Sequence, residues 1–158
     1  MKYYELLSML YDFEYKLAVM YEIFSKNYAN DNEACALFSK MCTEEVNHSD
    51  AVKYLMRTVK GNAPGEVSVD ADLGQMEAVI GKVDDTIKSE LPIPVDEAVR
   101  FALFLENNSL ELLYKTASAQ VDPKFVRLVE YLNSGSTEHQ AKIERLARKR
   151  GLLPEEAA

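Results

Sequence analysis

Phe38-Ser39-Lys40-Met41-Cys42-Thr43-Glu44-Glu45-Val46-Asn47-His48 is the stretch of this 158-residue chain that decides its fold. The stripe Ala34, Phe38, Met41, Glu45, His48, Val52, Leu55 runs through it with helical spacing, so it forms one face of a long helix. Two members of that apolar face are polar. Glu45 and His48 sit one turn apart on the same side. A carboxylate and an imidazole on the inward face of a bundle helix need compensation, because burying a bare charge is costly. A metal ion shared with other carboxylates supplies it, and the remaining sequence offers matching ligands with one gap.

The length fits one domain, residues 1–158, with a single core. Gly and Pro cluster between 61 and 94 and near the C-terminus, and helix formers dominate elsewhere, which predicts an all-α domain. A formal net charge of -8 argues against a nucleic-acid surface and suits a protein that attracts cations. No run approaches ~18 uncharged apolar residues, so no membrane span is expected. Met1-Lys2-Tyr3-Tyr4-Glu5 lacks an uninterrupted apolar segment, and a cytoplasmic protein is expected. Cys35 and Cys42 share one helix at about 10 Å, too far for a disulfide. There is no CxxC, hence neither a rubredoxin-type iron site nor a zinc ribbon. The two thiols read as buried and reduced, with a redox role for Cys42, one turn before Glu45, as the alternative.

Four long helices are predicted. The first covers 3–29, with the stripe Leu7, Leu10, Glu14, Leu17, Tyr21, Phe24, Tyr28; Glu14 occupies a place where an apolar residue belongs. Asn30, Asp31 and Asn32 break it and can cap the second helix, 32–59. The short connection makes the two antiparallel neighbours. Residues 60–95 form a crossover, with a short helix suggested by Leu73, Met76, Val79, Ile80, Val83 and Ile87. It is long enough to leave helices two and three parallel. The third helix covers 96–120, with Glu106 interrupting the stripe Val99, Leu103, Leu110, Leu113, Ala117. Pro123 opens the fourth, 123–150, which carries Phe125, Leu128, Leu132, His139, Ile143 and Leu146 inward. Arg145, Arg148, Lys149 and Arg150 crowd its last turn and complement the helix dipole.

Both histidines of the chain, His48 and His139, thus fall on inward stripes, as do Glu14, Glu45 and Glu106. Without a metal the three carboxylates would repel one another and raise their pKa values. Carboxylates mixed with imidazole suit iron or manganese.

The order Glu, Glu-x-x-His, long crossover, Glu, then a His-bearing helix resembles the ferritin-like di-iron carboxylate bundles, in particular the rubrerythrin-like branch without a rubredoxin domain. Glu14 followed by Tyr21 resembles the family's first helix. Phe38 to His48 resembles its second, and Leu105-Glu106 followed by Leu112-Leu113-Tyr114 its third. The resemblance covers residues 5–148 and implies a four-helix bundle with a Glu from each of two helices beside a Glu-x-x-His from each of the others. It implies a di-iron centre, with manganese or zinc as alternatives. Glu14, Glu45 and His48 would hold one ion, and Glu106 and His139 the other, with Glu45 bridging. Tyr21 and Tyr114 would stand beside the ligands as donors or electron relays, or simply serve as amphipathic core.

This chain departs from the pattern on its fourth helix. Ser136 stands three residues before His139, where the family carries a Glu. Glu138 is the nearest acid, about 100° around the helix from His139. Asn133-Ser134-Gly135-Ser136 is a poor helix interior, so a bulge could turn Glu138 inward, or Ser136 could restart the helix as a cap. A second departure is Ser109, where rubrerythrins proper often carry another Glu. The resemblance implies a non-haem di-iron oxidoreductase acting on ferrous iron, O₂ or peroxide, with electrons from a separate donor protein or from iron itself. An incomplete metal-binding module without turnover and a helical scaffold remain the alternatives. A homodimer is expected from the base rate of symmetric assemblies.

Overall fold

The structure, a computed structural model, describes residues 1–71, 73–89, 91–107 and 111–154. Its helices are α1 (Tyr3–Asn27), α2 (Asn32–Val59), α3 (Leu73–Lys88), α4 (Val95–Asn107), α5 (Glu111–Val121) and α6 (Pro123–Lys149), with a 3-10 turn at Ala63–Glu66. The chain is all-α, and its architecture is that of a ferritin-like bundle. No helix is long and apolar enough to cross a membrane among the described residues.

Asp31 sets the first corner. Its carboxylate accepts from the Ala34 amide at 3.1 Å and caps α2, as its place after Asn30 suggests. The chain then doubles back. Tyr28 meets Phe38, Glu14 meets His48, and Lys53 lies over the Tyr11 ring, an order that makes α1 and α2 antiparallel. Tyr21, Phe24, Tyr28 and Phe38 form an aromatic cluster near the corner, with centroids 5.1–6.4 Å apart. Such rings contribute large buried area plus a modest geometric term.

The crossover returns along this hairpin. Its first part clamps the N-terminus, with Tyr3 N donating to Val67 O at 2.9 Å and Val69 N donating to Met1 O at 2.9 Å. Gly65 is required there, because a Cβ would collide with the Val59 carbonyl. α3 then lies over the bundle, burying Met76, Val79 and Val83. Lys16 Nζ reaches Asp84 Oδ1 at 3.0 Å from α1, and Lys82 lies 4.2 Å from the centre of the Phe104 ring on α4.

Tyr28 Oη donates to Ile93 O near the start of α4, while Tyr3 Oη pairs with Ser118 Oγ on α5 at 2.8 Å. The α4–α5 pair therefore runs antiparallel to α1 and parallel to α2, as the length of the crossover predicts. α6 runs back, pairing Gln140 with Asn107 and Arg150 with Asp96. Arg150 also reaches Asp31 Oδ2 at 2.7 Å, and Lys149 pairs with Glu33. Two residues of the basic cluster of α6, Lys149 and Arg150, thus pair with acids outside α6, beyond the helix-dipole role expected of it, and Arg148 pairs with Glu144 of its own helix.

The third predicted helix is filled by α4 and α5; residues 108–110, Ser109 among them, lie outside the described residues. α6 is unbroken through 133–136, contrary to the expected bulge or restart. Phe125 on one side of that run and His139, Ile143 and Leu146 on the other are buried, and such packing outweighs poor local propensity.

Candidate metal centre

Four helices bring five ligand-type side chains to one place. α1 supplies Glu14, α2 supplies Glu45 and His48, α4 supplies Glu106 and α6 supplies His139. They form two trios, Glu14–Glu45–His48 and Glu45–Glu106–His139, whose ligand atoms all lie within 4.8 Å of one another in each trio. Glu45 belongs to both. Its Oε2 lies 3.0 Å from His48 Nδ1, and its Oε1 lies 3.6 Å from His139 Nδ1. Glu14 Oε2 stands 3.8 Å from His48 Nδ1, and Glu106 Oε1 stands 4.0 Å from His139 Nδ1. Metal–ligand bonds of about 2.1 Å put neighbouring donors roughly 3–4 Å apart, so these separations suit a shared ion on each side of Glu45.

The site is dry. His139 is 1 % exposed and Glu45 is 3 % exposed. His139 Nδ1, aimed at two carboxylates, is buried without a hydrogen-bond partner among the described residues. That is an orphan of the kind a metal ion satisfies, and the oxygen-rich, nitrogen-containing donor set suits iron, manganese or zinc. The residues present therefore fit the implied metal centre.

Burial dominates the electrostatics. It pushes the Glu45 carboxyl well above the ordinary range, with Glu14 adding repulsion against partial relief from His48. Burial pulls His48 down, but Glu14 and Glu45 outweigh it and raise its pKa to about 10. His139 is lowered, chiefly by burial and only partly offset by Glu44, which favours the neutral ring that ligates metals. Tyr21 is fully buried beside the cluster, and burial followed by Glu106, Glu45 and Glu14 raises its phenol well above the usual value. Its hydroxyl has no hydrogen-bond partner among the described residues. Burial thus opposes a bare charge on Glu45, a cost that a bound cation would offset.

The family model described as Rubrerythrin matches residues 5–147. The chain belongs to the rubrerythrin family. That places it in the ferritin-like di-iron superfamily, whose general site plan of carboxylates and histidines on four helices is the arrangement found here. No curated protein and no solved structure matches the chain.

Against that family pattern, the structure gathers Glu14, Glu45, His48, Glu106 and His139 and leaves Glu138 out. Glu138 is 70 % exposed and pairs with Lys142 at 3.0 Å, one turn along the outer face of α6. The reason is the unbroken helix: without a bulge, the residue before His139 stays about 100° away from the inward face. Ser136 remains on the backbone turn before His139, and its side chain, like that of Tyr114, lies outside the described residues. Tyr21 is buried near enough to feel the charges of Glu106, Glu45 and Glu14 but makes no hydrogen bond to them. Cys35 and Cys42 are both free and half-buried. Burial raises the Cys42 thiol.

One residue escaped the sequence reading. Glu44 Oε2 is buried against His139 Nε2. It was overlooked because it lies off the stripe that α2 turns toward α1. The signal that would have found it is that a bundle helix has two neighbours, so a second face of α2, one residue around, also turns inward.

Proposed function

We propose that this rubrerythrin-family chain holds two metal ions, iron by preference, and carries out oxidation–reduction with O₂ or peroxide as the oxidant. The observation that carries this reading is Glu45, which offers one carboxylate oxygen to each histidine and so forms the common edge of two three-donor trios. Iron held there supplies redox chemistry and open coordination positions for a small oxidant. The chain's own part is to fix the donors, exclude water and accommodate charge. Glu14, Glu45 and His48 hold one position, and Glu106 and His139 complete the other. Tyr21 places a buried phenol beside the carboxylates, as a hydrogen-bond donor or an electron relay.

Electrons come from a separate donor protein or from ferrous iron, since the chain contains no CxxC to house a second iron site. The two free thiols are in keeping with a reducing, cytoplasmic setting. A homodimer is the assembly we expect on the base rate of cyclic pairs.

The outward Glu138 favours a second reading, a metal-binding module without turnover. Metal content decides first: anaerobic loading with ferrous iron, removal of excess and elemental analysis of the purified chain. Two irons per chain, oxidised on addition of peroxide with a change in the near-ultraviolet absorbance, support the oxidoreductase. Metal held without such a change supports the module, and none in a folded chain refutes both.

A further inference from the structure

We propose that Gln140 is a positioning residue that, through Asn107, holds Glu106 and His139 at the spacing a shared ion needs, an inference that rests on the two-ion reading above. The two trios are held together differently. Glu14, Glu45 and His48 lie on α1 and α2, which one short connection joins. Glu106 and His139 lie on α4 and α6, with α5 between them in the chain, so their spacing rests on contacts between side chains. Polar ties at both ends of α4 contribute. Arg150 Nε donates to Asp96 Oδ1 at 2.6 Å in the first turn of α4, and Gln140 Nε2 donates to Asn107 Oδ1 at 3.0 Å at its last residue. The second tie stands beside the ligands, because Asn107 follows Glu106 and Gln140 follows His139.

Gln140 is itself fixed. Its side-chain nitrogen carries two hydrogens; one goes to Asn107 and the other to Glu144 Oε1 at 3.1 Å, one turn along α6. Glu144 in turn accepts from Arg148 Nη2 on its other oxygen at 3.2 Å. The amide cannot turn over and keep both bonds, because its oxygen would then face the Glu144 carboxylate, which only accepts. The chain Asn107–Gln140–Glu144–Arg148 thus runs from α4 along α6. A residue and its successor diverge by about 100° around a helix, so this tie lies beside the seam that Glu106 and His139 share and not in it. Gln140 therefore acts through register: any slide of α4 along α6 that breaks the Gln140–Asn107 bond also separates Glu106 from His139. Glu106 Oε1 already stands 4.0 Å from His139 Nδ1, against 3.0 Å between Glu45 Oε2 and His48 Nδ1, so the His139 position tolerates further separation least.

The test is isothermal titration of the metal-free chain with cobalt(II), which reads both binding steps, with the visible cobalt spectrum as a record of coordination geometry. Gln140→Ala and Asn107→Ala should each weaken one step about 2–10-fold, the range of a single hydrogen bond, shift the cobalt bands of that step and leave the other step unchanged. Glu106→Gln identifies the affected step as the His139-dependent one. The double variant should lose no more than either single variant, because both remove the same bond. Asn107→Asp keeps an acceptor for Gln140 and should keep the wild-type bands. Urea unfolding of the metal-free variants monitors folding. Losses that add in the double variant, equal weakening of both steps, or titrations and spectra indifferent to both substitutions overturn the proposal. A folded wild type that binds no cobalt overturns the two-ion reading instead. The ring resonances of His139 in metal-free, ¹⁵N-histidine-labelled protein then decide the register: they should move in Asn107→Ala, and resonances that stay in place overturn the role of Gln140.

Discussion

Replacing Glu45 by Gln tests the shared carboxylate most directly. The amide keeps the shape of the side chain but removes the negative charge and replaces one of the two ligating oxygens by an NH₂ group. In the structure, Glu45 contributes one oxygen to each trio, whereas Glu14 contributes only to the His48 side and Glu106 only to the His139 side. Losing a mere supporting contact to a ligand costs about 10–100-fold in metal affinity. That is a lower bound for losing a ligand, and corresponds to about 1.4–2.7 kcal/mol. Glu14→Gln and Glu106→Gln should each impose this on one ion. Glu45→Gln should impose it on both, so the product of the two binding constants falls at least about 10²–10⁴-fold. Isothermal titration with cobalt(II) or zinc(II) reads both steps. Folded wild type should show two, the Glu14 and Glu106 variants one tight and one weakened step, and the Glu45 variant two weakened steps. A Glu45→Gln chain that keeps one step at wild-type affinity would refute the sharing.

Ser136→Glu, which places a carboxylate one turn before His139 on an unbroken helix, should tighten the His139-dependent step or raise the metal content; unchanged titrations would show that the position does not face the site. Tyr21→Phe removes a buried hydroxyl without a partner, so the metal-free protein should be unchanged or stabilised by up to about 1 kcal/mol in urea unfolding. A loss of more than that would reveal a hydrogen bond to the carboxylates. For pH, the Asp31 carboxyl is held below its ordinary value of 3.8, first by the Ala34 amide and then by Arg150. A lowered pKa gives stability that is fully present above about 3.8 and is lost as pH falls through the folded-state value. Asp31→Asn, which still caps α2, should therefore cost under about 1 kcal/mol at neutral pH and flatten the acid limb of the stability curve. An acid limb identical to wild type would place the sensitivity elsewhere.

Most of the bundle was legible because its stripes are long and regular. Leu7 to Tyr28 and Ala34 to Leu55 admit only the helical period, and the five polar intrusions stand out against them. The clustering of the candidate residues was legible for the same reason: Glu14, Glu45, His48, Glu106 and His139 share depth as well as facing. What escaped was set by tertiary context. The Asn133–Ser136 run looks like a break when judged by propensity, yet the buried residues on both sides carry the helix through it. Glu44 was hidden because a single stripe describes one neighbour, whereas α2 packs against both α1 and α6. The partners of Arg150, Asp31 and Asp96, are far away in sequence and join three helix ends that no local pattern connects.

The two trios differ in how much of the polypeptide each requires. Glu14, Glu45 and His48 all lie on the α1–α2 hairpin, which is complete once residue 59 has been synthesised. Its short connection lets it close without the crossover. Glu106 and His139 lie on α4 and α6, beyond the crossover, where Arg150 ties the end of α6 to Asp31 and Asp96. The His48 trio is thus local to one hairpin, whereas the His139 trio draws on three helices from both sides of the crossover.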